Sequence, residues 1–75
     1  MYQRTGKHSI RKVEHLGEDI TLDDNSRWKV SSMDKTKSMM WMMLDDVNVA
    51  SYIGDKFKIT HVKQNETVEA TYQQG

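Results

Sequence analysis

Three histidines, His8, His15 and His61, and two adjacent aspartate pairs, Asp23-Asp24 and Asp45-Asp46, are the residues of this chain whose types suit metal or acid–base chemistry. Imidazoles ligate zinc and carboxylates ligate calcium. The spacing assembles neither site. The histidines follow no zinc-ligand pattern and fall on unrelated stretches: His8 in a polar lead-in, His15 near a strand end, His61 on a strand beside Phe57 and Ile59. Consecutive residues on a strand point to opposite faces, so neither aspartate pair converges on one ion unless a turn redirects it. The alternating ligands and the glycine of a calcium loop are missing as well. Turn chemistry accounts for both pairs, and the expectation is no metal and no cofactor. Nucleophilic catalysis has no better footing, because there is no cysteine, no Gly-x-Ser-x-Gly elbow and no glycine-rich phosphate loop. A domain this small rarely encloses a substrate pocket of about 300 Å³. The expectation is therefore a protein that is not an enzyme. Asn65-Glu66-Thr67 matches the N-glycosylation acceptor, but three residues match by chance too easily to carry weight.

What remains is binding, and two stretches offer it. Ser32 to Leu44 holds five of the chain's six methionines and its second tryptophan. Flexible, polarizable methionines suit adaptable partner surfaces, and tryptophan is the usual anchor of such a contact. That reading makes Met40, Trp41 and Met42 a docking patch for a protein or peptide. The competing reading is core filling: strand alternation sends Trp41, Met43 and Met39 inward and leaves Met40 and Met42 outside. The two are compatible if the outward methionines form an exposed apolar stripe. The second stretch is a basic-aromatic set, Arg11, Lys12, Lys56 and Lys58 with His61, Lys63, Tyr52 and Tyr72, which on a small barrel would stack single-stranded nucleic acid. Eleven basic and eleven acidic residues give zero net charge, which argues against a dedicated nucleic-acid binder and for a solvated outer face.

The elements that must position these residues are strands. Ile20 and Leu22 alternate with Asp19, Thr21 and Asp23, and Trp28 and Val30 alternate with Arg27 and Lys29, the period of half-buried strands. Between them, Asp24-Asn25-Ser26 is a turn, since asparagine accepts positive φ and Asp and Ser bond their own backbone. The pair is a β-hairpin with Trp28 as its apolar anchor, provided that the indole N–H finds an acceptor. Ahead of it, Ile10, Val13 and Leu16 step by three, which fits a first strand from Ser9 to Leu16 if a bulge shifts its register by one. After the Met–Trp block, read as loop and then strand, Asp45-Asp46 is a turn and Val47 and Val49 mark the next strand. Gly54-Asp55 punctuates a hairpin leading to Phe57, Ile59 and His61 on one face, and Gln64-Asn65-Glu66 turns the chain into a last strand with Val68, Ala70 and Tyr72. Residues 1 to 8 form a flexible arm and residues 9 to 73 a single domain that frays at its end.

Five or six short strands at turn spacings of about eight to twelve residues give the rhythm of a small barrel. A closed or partly open SH3-like barrel is the economical all-β solution, because it removes exposed edges. The expected core is Ile20, Leu22, Trp28, Val30, Val47, Val49, Phe57, Ile59, Val68 and Ala70. A chain of this length buries only roughly 60% of its unfolded surface, and without cysteine no disulfide supports it.

The pattern Ile20-x-Leu22-Asp23-Asp24-Asn25-Ser26-x-Trp28-x-Val30, followed by Trp41 and Asp46-Val47-x-Val49, resembles short bacterial β-barrel domains of unknown function over residues 18 to 50. Those domains usually carry glycine where this chain has Asn25, a residue that also accepts the left-handed turn conformation. The resemblance implies the barrel and names no catalytic residue. It also implies a lean toward the bacterial envelope, where a purely structural accessory role is an alternative to binding. No signal peptide is legible in the polar, basic first residues, so the chain is expected to be soluble, either cytoplasmic or a mature periplasmic domain.

Overall fold

Alternating apolar residues become six strands, and those strands close on themselves. A computed structural model describes residues 4–73; residues 1–3 and 74–75, at the expected arm and frayed end, lie outside the described residues. The elements are β1 (Gly6–Glu14), β2 (Asp19–Leu22), β3 (Arg27–Val30), a single-turn helix α1 (Lys35–Ser38), β4 (Asp46–Ser51), β5 (Lys56–His61) and β6 (Glu66–Gln73). They form a closed antiparallel barrel in the order β1-β2-β3-β6-β5-β4, a small SH3-like barrel. Two three-stranded meanders are joined by the β3·β6 and β4·β1 pairings. All ten expected core residues are buried, together with Ile10 and Trp41. Val13 and Tyr72 pack against them from the margin.

The expected bulge lies in β1. Ile10 pairs with Leu22 but Lys12 pairs with Thr21, so Arg11 is the extra residue. The shift lets Ile10 and Val13 reach the same interior. β1 begins earlier than the sequence suggests: Gly6 to Ser9 pair with Val49 to Asp46, which takes residues 6 to 8 out of the expected flexible arm. The closing pairing of the barrel requires them, because β4 needs a partner on its second side.

Trp28 is fully buried. Its indole meets Phe57 edge-on at 5.1 Å and Tyr72 at 5.4 Å, and aromatic pairs of this kind contribute about 0.5–1.5 kcal/mol beyond their burial. The indole N–H donates to Ser26 Oγ at 2.9 Å. Ser26 in turn donates from its hydroxyl and its backbone N–H to Asp24 Oδ1. Asn25 holds φ of 67°, as its turn position asks.

Residues 31–45 depart from expectation. They are no strand but a turn, α1 and further turns. The N-cap position is Asp34, and its side chain makes no cap bond; Oδ2 instead accepts the Glu69 N–H. α1 sits against Gly17, whose φ is +91° and whose missing Cβ would lie 2.4 Å from Lys35 O and Met39 N. Ser38, fully buried, donates to the Gly17 carbonyl at 2.6 Å. Without a strand's two-residue period, the split expected for the methionines fails: Met39 and Met43 are 44% and 65% exposed, and only Trp41 turns inward.

Candidate functional site

Strand directions place the turn 15–18, residues 31–45 and the turn 62–65 at one end of the barrel, here the closed end. The turns 23–26 and 52–55 lie at the other. Trp41 plugs the closed end at 3% exposure. Its ring lies 5.2 Å from that of His61, and its N–H donates to Glu66 Oε1 at 3.2 Å. His61 is buried as well. The Gln64 N–H donates into its Nδ1, so Nε2 carries the hydrogen and donates to Asp45 Oδ2 at 2.8 Å. The same Asp45 oxygen accepts the Met42 N–H at 2.9 Å. These bonds to His61 and to the Met42 amide hold the Asp45 carboxyl below the usual carboxylate range. Ile10 closes the arrangement, donating to Asp45 O and accepting from the Leu44 N–H.

The backbone of 41–45 is thus pinned while the side chains of Met42, Met43 and Leu44 face outward. Met40, Met42, Met43 and Leu44 are 65–78% exposed. Leu44 holds φ of 76°, a left-handed conformation that costs a branched residue roughly 1–2 kcal/mol. Of the three residues expected to form a docking patch, Met40 and Met42 belong to this surface and Trp41 does not. The tryptophan is the anchor beneath the patch, because its hydrogen bond to Glu66 and its ring contact with His61 hold it in the barrel. Met43, which the strand reading sent inward, and Leu44 complete it.

Beside the patch a groove of about 220 Å³ crosses the outer face of β1, lined by Ser9, Ile10, Arg11, Asp23, Met43 and Leu44. Arg11 donates to Asn25 Oδ1 at 2.7 Å. Asp23 accepts from the Ser9 N–H and meets His8 Nδ1 at 2.7 Å, while His8 Nε2 meets Arg4 O at 2.5 Å. Both ring nitrogens of His8 face acceptors, which only the doubly protonated imidazolium satisfies. Burial pulls the His8 pKa down, but the Arg4 carbonyl and the Asp23 carboxylate outweigh it and the net shift is upward. Asp23 is correspondingly held low by its bond to His8. His8, Asp23 and Asp24 bring ligand atoms within 4.8 Å of one another, a cluster that the sequence hides because His8 reads as part of the arm. Internal hydrogen bonds occupy its members.

The basic set is not brought together. Arg11 and Lys12 lie on the half of β1 that pairs with β2, whereas Lys56 and Lys58 lie on β5, which does not neighbour β1. Lys12 pairs with Glu14, Lys56 with Glu69, and Lys58 lies 4.3 Å above the Tyr52 ring. His61 is in the core and Tyr72 against it.

A polar depression of about 310 Å³ lies over β1, β2 and β3, lined by Glu14, His15, Asp19, Thr21, Arg27 and Gln73 around the backbone of Ile20 and Trp28. His15 Nδ1 is bonded to Asp19 Oδ2 there. The imidazole–carboxylate pair has the form of a general base, with Thr21 as the hydroxyl among the lining residues. The position was assigned to a strand end and not to a site. No family model, curated protein or solved structure matches this chain. Among the described residues no helix is long and apolar enough to cross a membrane.

Proposed function

We propose that the protein is a non-enzymatic binding module that docks a protein or peptide through the turn carrying Met40, Met42, Met43 and Leu44. One observation carries this reading: four large apolar side chains stand in solvent on a segment whose backbone is fixed from below by Trp41, Asp45 and His61. An exposed apolar patch on a rigid base lowers the ordering cost of association, and methionine adapts to the partner's shape. The strained φ of Leu44 adds to it, since a glycine there would hold the same backbone with less cost.

The test is a screen of a displayed peptide library against the protein, followed by titration of the selected peptides with methyl-labelled methionine. Selected peptides should shift the methyls of Met40, Met42 and Met43, and the double variant Met40→Ser, Met42→Ser should lose them with its amide spectrum otherwise unchanged. Selected peptides that shift other surfaces, or bind the variant equally, would refute the reading. Single-stranded nucleic acid is the weaker alternative, because Arg11, Lys12, Lys56 and Lys58 occupy strands that are not neighbours. A short single-stranded DNA is expected to leave those residues unshifted at low salt. A structural accessory role in the bacterial envelope has no observation in its favour.

A further inference from the structure

We infer that Met33, Met39, Met40, Met42 and Met43 form a reversible oxidation site, at which a peroxide-class oxidant turns the closed end from apolar to polar while the barrel stays folded. Its consequence for binding rests on the docking reading. Every described methionine is exposed, from Met39 at 44% to Met33 at 85%. The core, by contrast, is built from Ile, Leu, Val, Ala, Phe and Trp, without a methionine. Methionine oxidation damages a protein chiefly where it places a polar sulfoxide in packed apolar surroundings. Here it meets side chains that stand in solvent. Nothing printed in the hydrogen bonds that fix the segment passes through a sulfur: the Trp41 N–H rests on Glu66, the Met42 backbone N–H and the His61 ring on Asp45, and Ser38 on the Gly17 carbonyl. Sulfoxidation leaves these bonds in place and changes only what the turn shows to solvent.

The chemistry is a two-electron oxygen transfer. The sulfur lone pair attacks one oxygen of hydrogen peroxide, an S–O bond forms and the O–O bond breaks. The transferred oxygen passes its proton to the departing hydroxide, which leaves as water, so the thioether is oxidised and the peroxide reduced. No thiol competes for the oxidant, because the chain has no cysteine, and both tryptophans are buried. Methionine sulfoxide reductases return the thioether, one enzyme for each sulfoxide epimer; two thiols are oxidised to a disulfide and the oxygen leaves as water. A sulfoxide puts a polar acceptor where an apolar partner offers no donor, so a contact made through these methionines weakens for as long as the oxygen is there.

The test treats the full chain, with methyl-labelled methionine, with dilute hydrogen peroxide and follows its mass, its methyl and amide spectra and its urea midpoint. The mass should rise in steps of one oxygen, with Met33 converting first and Met39 last among the five, while the strand amides and the midpoint hold. Peptides selected against the reduced protein should lose about tenfold or more in affinity on oxidation, the effect of burying an unpaired polar group. The two reductases with a dithiol should restore both the methyl signals and the affinity. Loss of the strand amides as sulfoxide accumulates, methyls that resist peroxide able to oxidise free methionine, or sulfoxides that the reductases cannot reach would overturn the inference. So would an unchanged affinity, at full oxidation, for peptides that shift the methyls of Met40, Met42 and Met43. Failure to select any peptide against the reduced protein would take away the docking reading instead, and reversible methyl conversion with steady strand amides would still uphold the oxidation site.

Discussion

The two tryptophans of this barrel do opposite jobs with the same indole. Trp28 reaches its acceptor two residues back, through Ser26 to Asp24, and its ring is the centre of the interior beside Phe57 and Tyr72. Trp41 reaches across 25 residues to Glu66 and packs its ring at a tilt against His61, and what it secures is a solvent-facing turn. One holds the barrel together from within a hairpin, and the other ties a surface to the barrel. A short-range network stabilises the fold wherever the hairpin forms, whereas a long-range one forms only after β5 and β6 are in place.

The largest expected effect is on Trp28. Trp28→Ala should cost about 3–5 kcal/mol, the range for a large aromatic core residue, which is most of what a domain of this size has. Urea titration followed by tyrosine fluorescence should show a barrel that is largely unfolded in buffer. An equal loss for Trp41→Ala would break the comparison, because that variant should expose the amides of 31–45 to exchange first and leave the strands protected. Next in size is Gly17→Ala, which must accommodate a Cβ against the backbone of α1 at a φ suited to glycine. It should destabilise by about 1–3 kcal/mol, and a neutral effect in thermal denaturation would show that α1 is not seated as described.

Ser26→Ala leaves the buried Trp28 N–H without its acceptor and should cost about 1–3 kcal/mol by chemical denaturation. Glu66→Ala, which removes the acceptor of Trp41 at a partly open site, should cost about 0.5–1.5 kcal/mol. The reverse order would mean that the closed end, not the hairpin, carries more of the stability. The smallest effects are in pH. His8 is raised from its usual 6.5, so its contribution is full below that value and is lost as pH rises through the folded pKa. Asp23 and Asp45 are lowered from 3.8, so theirs is full above that value and is lost as pH falls through the folded pKa. The urea midpoint should therefore decline on both sides of the interval from 3.8 to 6.5. His8→Gln should flatten the alkaline decline, and Asp45→Asn should remove part of the acid one.

Local patterns explain why the hairpin was legible. Ile20, Leu22, Trp28 and Val30 announce their faces by alternation, Asn25 its positive φ, and Ile10 and Val13 a bulge by their three-residue step. The closed end was not legible, because nothing near Trp41 in the chain points to Glu66 or His61. The strand period assigned to Met39 through Met43 gave the right sides for Met40, Trp41 and Met42 and the wrong ones for Met39 and Met43, since the chain there turns instead of extending. His8 shows the same limit. Its role rests on Arg4 O, Asp23 and a pairing with β4, and a polar, aperiodic lead-in carries no mark of a strand that exists only because the barrel must close. The basic set failed for a related reason: residues close in composition were assigned one face without a strand order to separate them.

Closure of the barrel has a further consequence. Each described strand is hydrogen-bonded to a neighbour on both sides, so an incoming chain finds no whole strand edge to extend, only short stretches such as those where β1 leaves one neighbour for the other. Recognition by main-chain addition, which reads a partner's backbone and tolerates many sequences, has little edge to work with here. A partner docked on the exposed side chains of Met40, Met42, Met43 and Leu44 would be read by those side chains, residues that evolution can exchange without touching a single rung of the ladder.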